Sequence, residues 1–201
     1  MTEEKRMIGN YEVLHDIRIC GKDVIIGENP SAKQGERYVV ATGERAAIYM
    51  NYVDSLVSDD YAEIMKAFGE RVSAFADELV LQHTSLVEQG IPIETILPSE
   101  YDCIFYGNSI LNKIVIIDTN VLSPEYRIQA HQVYLCVGGN GSAGCARGSA
   151  CFCISLYDGK TSRFERADIA GVIQEEKLPL WARNGLEKIQ AKRKEKSMEA
   201  R

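Results

Sequence analysis

The sequence has no apolar run long enough to cross a membrane. Its longest strongly apolar stretches, Ile114–Ile117 and Leu79–Leu81, are far shorter than the roughly 20 residues that a membrane-spanning helix needs. The first six residues carry charges of both signs, and no apolar region follows them before Tyr11, so we expect no secretory signal. We therefore expect a cytoplasmic protein, in which the thiol pool keeps the six cysteines reduced.

Residues that commonly carry catalysis are scarce. The three histidines, His15, His83 and His131, show no spacing typical of a catalytic triad or a metal site. The chain also has no internal repeat and no low-complexity segment. We predict no catalytic residue, no metal and no cofactor, and the sequence favours a binding protein over an enzyme.

The charge is unevenly distributed. The 201 residues are 45% hydrophobic, enough for a real core in one domain or two small ones, and the formal net charge is -6. Residues 186–201 contain six basic and three acidic residues, a net +3, which leaves -9 for residues 1–185. An acidic body disfavours nonspecific binding to nucleic acid and suits a basic protein surface. The alternative interpretation is that the charge only keeps the protein in solution.

The N-terminal part is rich in β-forming residues. Val13–Cys20 and Asp23–Ile26 flank Gly21-Lys22, which predicts a β-hairpin. Tyr38–Thr42 is a predicted third strand. Residues 44–56 are ambiguous, although two alanines, Ala46 and Ala47, and Met50 in this segment favour a helix.

A long amphipathic helix is predicted from about Asp60 to Glu88. Ser58, Asp59 and Asp60 provide short oxygen-bearing side chains that cap the free amides of a first helical turn. Apolar side chains then recur at helical spacing. They are Tyr61, Ile64, Met65, Phe68, Val72, Phe75, Leu79 and Leu86.

Further strands and a terminal helix follow. Ser123-Pro124 is typical of a helix start, and we expect a short helix to about Ala130, while Leu178–Trp181 begins a C-terminal helix. The predicted strands are Tyr101–Tyr106 and Lys113–Asp118 around Gly107-Asn108, then Gln132–Val137, Ala150–Tyr157 and Arg163–Ile169. Strands without regular βα alternation predict an α+β fold, with antiparallel hairpins packed against the long helix and the C-terminal helix.

Three segments are expected on this basis. Residues 1–125 form an N-terminal α+β part that contains the helix at 60–88. Residues 126–185 form a glycine-rich β-hairpin module, and residues 186–201 form a basic helical tail.

The glycine-rich segment imitates known phosphate-binding motifs but does not fit them. Gly139-Asn-Gly141-Ser-Ala-Gly144 matches G-x-G-x-x-G, yet a dinucleotide site requires a helix after it, and the sequence after Ala150 predicts a strand. The Lys-Ser/Thr pair of a P-loop is also missing, because Cys145-Ala146 follows Gly144. We reject both assignments.

The remaining hypothesis for this loop is a phosphate or carboxylate site. Gly139 and Gly141 permit a conformation whose amides cup an anion, and Arg147, Arg163 and Arg166 would converge on it from one sheet face. The alternative is a flexible loop with ordinary surface arginines.

The cysteines do not form a typical zinc motif. Cys151 and Cys153 are separated by one residue on a predicted strand, whereas structural zinc sites use paired C-x₂₋₄-C knuckles. Together with Cys136 and Cys145 they are better interpreted as small buried hydrophobic residues.

Several segments carry a resemblance to known sequences. They are Tyr11-Glu-Val-Leu-His-Asp-Ile-Arg, Val57-Ser-Asp-Asp-Tyr61-Ala-Glu-Ile, Tyr126-Arg127, Leu135-Cys-x-Gly138-Gly139-x-Gly141, Ala146-Arg147-Gly148-Ser-Ala-Cys-Phe-Cys153 and Leu156-Tyr-x-Gly159-Lys-x-Ser162-Arg-Phe-x-Arg166-x-Asp168-Ile-x-Gly171. Together they resemble a family of proteins on integrative and conjugative elements of anaerobic gut bacteria. The resemblance covers most of residues 11–183, and its C-terminal pattern is the specific part.

The resemblance implies an anti-defence role, because such elements carry anti-CRISPR genes. It provides no catalytic residue. The function we expect is binding and inhibition of a host CRISPR effector nuclease of type II by an acidic surface. The candidate acidic residues are Asp54, Asp59, Asp60, Glu63, Glu70 and Asp77. The alternative is a phosphate-, nucleotide- or RNA-binding protein that uses the Gly138–Gly148 loop and its arginines, and the basic tail offers a further route to nucleic acid.

Overall fold

The chain has an α+β fold with two antiparallel sheets, one long helix and a C-terminal helix. A computed structural model describes residues 6–45 and 50–199. The chain divides into two compact units, residues 1–82 and 83–201, with the boundary inside the long helix. The predicted fold class is confirmed.

The first unit contains a five-stranded antiparallel sheet whose strands follow one another in sequence order. The β2–β3 hairpin turns through Cys20 and Gly21, which both have positive φ (52° and 75°). Two consecutive residues with positive φ form a two-residue turn that matches the right-handed twist of the flanking strands, so the predicted hairpin is confirmed. The strands are β1 (Met7–Ile8), β2 (Tyr11–Ile19), β3 (Lys22–Glu28), β4 (Tyr38–Arg45) and β5 (Met50–Ser58).

The predicted helical tendency of residues 44–56 is wrong where the structure describes it. Strand β4 runs on to Arg45, and Met50 begins β5, which pairs with β4 from Met50 to Ser58. Ala46 and Ala47 lie outside the described residues. Pairing with a neighbouring strand outweighs the weak helical preference of the segment.

The long helix α1 spans Tyr61–Glu88, which confirms the prediction. The Asp60 carboxylate accepts a hydrogen bond from the Ala62 amide (2.8 Å), the contact expected of an N-cap. One stripe of the helix, centred on Ile64 and Phe68, packs against Val24 and Val40 of the sheet. The burial of this apolar stripe fixes which face of α1 remains exposed.

The second unit contains a six-stranded antiparallel sheet in the order β10-β9-β8-β7-β11-β6. Helix α2 (Leu180–Glu199) follows the last strand, as predicted. The strands are β6 (Asp102–Cys103), β7 (Ile114–Ile117), β8 (Val133–Gly138), β9 (Ala150–Ser155), β10 (Thr161–Glu165) and β11 (Ile169–Ile173).

Local predictions in this unit need three corrections. The predicted strand Arg163–Ile169 is two strands, because β10 ends at Glu165 and a 3-10 turn precedes β11. Strand β11 lies between β7 and β6, which therefore do not pair with each other. The helix expected after Ser123 consists of two 3-10 turns, Pro124–Tyr126 and Gln129–His131.

The observed units also differ from the predicted segments. Strand β7 precedes residue 125 and pairs with β8, which follows it, so a division at 125 would cut one sheet. Non-local pairing of this kind leaves no trace in local composition. In the described part of the chain, neither helix is sufficiently long and apolar to span a membrane.

The two faces of the second sheet are covered differently. On one face, Leu186 and Ile189 of α2 pack against Ile116 and Leu135. The opposite face buries Tyr134, Cys136, Cys151, Cys153 and Ile169. This division determines which side chains of β9 and β10 lie on the same side of the sheet as α2.

Candidate functional site

The glycine-rich loop packs closely against its own descending limb. Gly139 has φ of +99°, and a Cβ there would overlap the carbonyl of Ala150. A Cβ at Gly141 would overlap the carbonyl of Ser149, and the Gly141 amide donates to the Ala150 carbonyl (2.8 Å). Glycine is therefore required at both positions, because the loop backbone lies against the backbone of Ser149 and Ala150. The segment that follows is strand β9, which confirms that the motif does not open a helix.

Arg166 holds this loop through backbone carbonyls. Its guanidinium donates hydrogen bonds to the carbonyl oxygens of Gly141 (2.7 Å) and Ala143 (3.4 Å) in the loop. It also donates to those of Asn108 (2.6 Å) and Phe105 (3.2 Å) in the segment after β6. Four hydrogen bonds to carbonyls give Arg166 a structural role, as the link between two loops that are distant in sequence.

The other two candidate arginines have different environments. Arg163 is exposed on β10 and forms an ion pair with Glu165 (2.5 Å). Arg147 is exposed in the descending limb of the loop. Each of the three arginines thus has its own surroundings, and the contacts of Arg166 and Arg163 weaken the hypothesis of a shared anion site.

The six candidate acidic residues are all exposed and all lie in the first unit. Three of them have structural contacts. Asp59 accepts from the amides of Gly35 (2.7 Å) and Arg37 (3.1 Å), and these hydrogen bonds lower the pKa of its carboxyl. Asp60 caps α1, and Glu63 accepts from the Ser58 hydroxyl (2.6 Å).

Of the remaining three, Asp54 and Glu70 lie close to basic side chains. Asp54 has φ of 53° at a bulge of β5 and lies 3.3 Å from the Arg71 guanidinium. Glu70 faces Lys66 at 3.8 Å, a weak exposed pair. Glu63, Glu70 and Asp77 are spaced seven residues apart, so they form one stripe on the solvent side of α1, about 10.5 Å per step. We call these three residues the α1 acidic stripe.

The whole net charge resides in the first unit. Residues 1–82 contain 15 acidic and nine basic residues, a net -6, whereas residues 83–201 contain 14 of each. Of the net -9 of residues 1–185, residues 1–82 carry -6 and residues 83–185 carry -3, so most of the acidic character belongs to the first unit. The second unit is neutral, with its basic residues concentrated on α2.

Three cysteines form a buried cluster on the face of the second sheet opposite α2. Cys136 of β8 is the direct partner of Cys153 in β9, and Cys151 lies on the same face. Burial raises the pKa of the Cys151 thiol to about 11. Within residues 6–45 and 50–199, no group of histidine, cysteine or acidic side chains is arranged to hold a metal ion. The cluster fits the predicted role of cysteine as a small buried hydrophobic residue, but the prediction is wrong for Cys145, which is exposed.

Sequence reasoning missed a groove in the second unit. It has a volume of about 940 Å³ and lies between α2, the β9–β10 hairpin and the segment after α1. This volume falls in the range of ligand sites. One sequence signal pointed to it: Gly185 inside α2, where a Cβ would overlap the carbonyl of Leu156, so that α2 approaches the hairpin closely.

Comparisons with protein families, with curated proteins and with solved structures found no match to this chain.

Proposed function

We propose that this chain is a mobile-element anti-defence protein that binds and inhibits a host CRISPR effector nuclease of type II. The binding surface is the exposed acidic side of the first unit. The family resemblance supplies the biological context, and the charge distribution supplies the physical support.

The α1 acidic stripe is the observation that carries this proposal. Its three carboxylates lie on an exposed helix face of a unit with a net charge of -6. A nuclease lines its nucleic-acid channel with Lys and Arg, so an acidic helix face is electrostatically complementary to it. Three charges over about 21 Å are far fewer than the phosphates of a nucleic acid strand, one per 3.4 Å. The stripe therefore suits contact with separate cationic side chains rather than full replacement of a bound strand.

A cleavage assay with purified effector and guide tests the proposal. Excess protein should suppress cutting. The double variant Glu70→Gln/Asp77→Asn should be needed at a roughly tenfold or higher concentration for the same inhibition, because loss of two interfacial charge contacts costs at least about 1.4 kcal/mol of binding free energy. The matched control is Glu94→Gln/Glu187→Gln, which removes the same charge from exposed sites of the second unit. Unchanged cutting in the presence of excess protein would overturn the proposal.

The second candidate function, phosphate, nucleotide or RNA binding by the Gly138–Gly148 loop, has weaker support. The loop glycines serve close packing, and Arg166 donates its hydrogen bonds to carbonyls. A nucleotide panel followed by thermal unfolding tests it, because a ligand at 100 times its Kd stabilises a protein by about 2.7 kcal/mol. The absence of any shift would remove this candidate.

A further inference from the structure

The groove of the second unit is long and is lined on one side by α2. Residues from Leu180 to Glu195 contribute to this wall. At 1.5 Å per residue the wall is about 22 Å long. Its length suits an extended occupant.

Aromatic and apolar side chains line the floor. Ile154, Leu156 and Ile189 provide apolar surface, and Tyr157 and Trp181 provide aromatic rings. Tyr157 is 37% exposed. The indole Nε1 of Trp181 is buried and has no hydrogen-bond partner among the described residues. The groove thus combines apolar surface with flat aromatic rings.

The apolar surface continues along β9 beyond the groove. Phe152 pairs with Arg163, and Ile154 pairs with Thr161. Since Ile154 packs on the α2 side and side chains alternate along a strand, Phe152 lies on that side as well. Phe152 is 45% exposed. A second accessible ring therefore stands next to the groove.

Cations line the helical wall. Lys188 and Lys192 are one helical turn apart, about 6 Å, and both line the groove with Arg193. The acidic residues of the lining are Asp158 and Glu195, and Lys160 forms an ion pair with Asp158 (3.1 Å). Positive charge therefore predominates along this wall, although the unit as a whole is neutral.

We infer that this groove binds a short single strand of nucleic acid. Lys188 and Lys192 would face its phosphates, and Tyr157 and Phe152 would stack on its bases. At 3.4 Å per nucleotide, 22 Å accommodates about six nucleotides. An acidic peptide would meet the lysines but would leave the rings without a stacking partner. The inference uses residues of the second unit only and does not depend on the proposed function.

Fluorescence anisotropy with labelled eight-nucleotide RNA and DNA oligomers and the full chain tests this inference. We expect binding that weakens steeply with salt. Lys188→Gln/Lys192→Gln should weaken it at least tenfold and reduce the log-log salt slope by about 1.4, or 0.7 for each lost phosphate contact. Tyr157→Leu should weaken binding by about tenfold with an unchanged slope, because stacking releases no counterions.

The controls separate the groove from general charge. Lys177→Gln removes one exposed cation outside the groove and should alter affinity less than twofold. Thermal unfolding should show that all variants remain folded. Three results would each overturn the inference. The chain could bind neither oligomer at low salt, or the lysine double variant could bind like the parent. Poly-glutamate at matched charge could also displace the oligomer as well as unlabelled oligomer does.

Discussion

Cys136 and Cys153 face each other across β8 and β9 as a non-hydrogen-bonded pair. The Cys136 amide donates to the Lys113 carbonyl (3.0 Å), and the Cys136 carbonyl accepts from the Asn112 amide (2.8 Å), so both groups point away from β9. At such positions the two side chains approach most closely. The thiols form a hydrogen bond, which lowers the pKa of Cys136 and raises the pKa of Cys153. One thiol of this buried pair thus ionises more readily than the other.

Replacement of Cys153 by alanine should raise the pKa of Cys136. The variant removes the S–H group that donates to the Cys136 thiolate, while desolvation remains. Thiolate absorbance near 240 nm, followed against pH with Cys20, Cys103 and Cys145 changed to serine, measures this pKa. Cys151→Ala keeps the main donor and should raise the pKa of Cys136 less. Equal effects of the two replacements would contradict the assignment of Cys153 as the main donor.

Asp23 should make the first unit sensitive to acid. Its carboxylate is buried and accepts from Arg18 (2.7 Å) and Arg6 (3.0 Å). Burial alone would raise the pKa of Asp23, but the two arginines outweigh it and the pKa is lowered. Because the folded pKa lies below the unfolded one, the stabilisation is present above the unfolded value, near 4, and is lost as pH falls through the folded pKa.

Asp23→Asn should lower the free energy of unfolding by about 1–3 kcal/mol at pH 7. Urea unfolding at a series of pH values measures this difference, which should shrink below about pH 4 as the parent carboxyl becomes protonated. Asp16→Asn, at an exposed partner of Arg6, serves as the control and should cost less than about 1 kcal/mol. A difference for Asp23→Asn that does not change with pH would exclude the ion pairs as its cause.

Two adjacent glycines should respond differently to alanine. Gly139 combines φ of +99° with a position where a Cβ would overlap the Ala150 carbonyl, so Gly139→Ala should cost more than about 2 kcal/mol. Gly138 has open space at its Cβ position, and Gly138→Ala should be neutral within about 0.5 kcal/mol. Thermal unfolding compares the two. Similar losses for both would mean that the loop glycines serve something other than close packing.

Arg166→Lys should loosen the glycine-rich loop. A lysine cannot reproduce the planar set of donors that holds Gly141 and Asn108 together, so a loss of about 1–3 kcal/mol is expected. Faster proteolysis within residues 138–149 should accompany it. Arg147→Lys, at an exposed position of the same loop, is the matched control and should leave both stability and cleavage unchanged.

Local signals allowed the sequence to predict the elements that depend on neighbours along the chain. Helix α1 was recognisable because a capping group at Asp60 precedes a regular apolar stripe. The β2–β3 hairpin was recognisable from the turn at Gly21. The acidic candidates were also available from sequence, but their grouping into one unit required the division after Gln82.

The candidate sites depended on contacts that sequence reasoning could not anticipate. Arg166 was expected to bind an anion, whereas its partners Phe105 and Asn108 lie about 60 residues earlier in the chain. The groove was missed because its floor comes from β9 and its wall from α2, and neither carries a motif alone.

The sequence by itself determined the fold class, the long helix, the strand after the glycines and the sign of the charge, because these follow from local periodicity, turn chemistry and composition. Tertiary structure alone decided that β11 lies between β7 and β6, that Cys136 faces Cys153, and that Arg166 serves a loop. Each of these is a contact between segments far apart in sequence, and its free energy depends on the simultaneous burial of both partners, which no local pattern encodes.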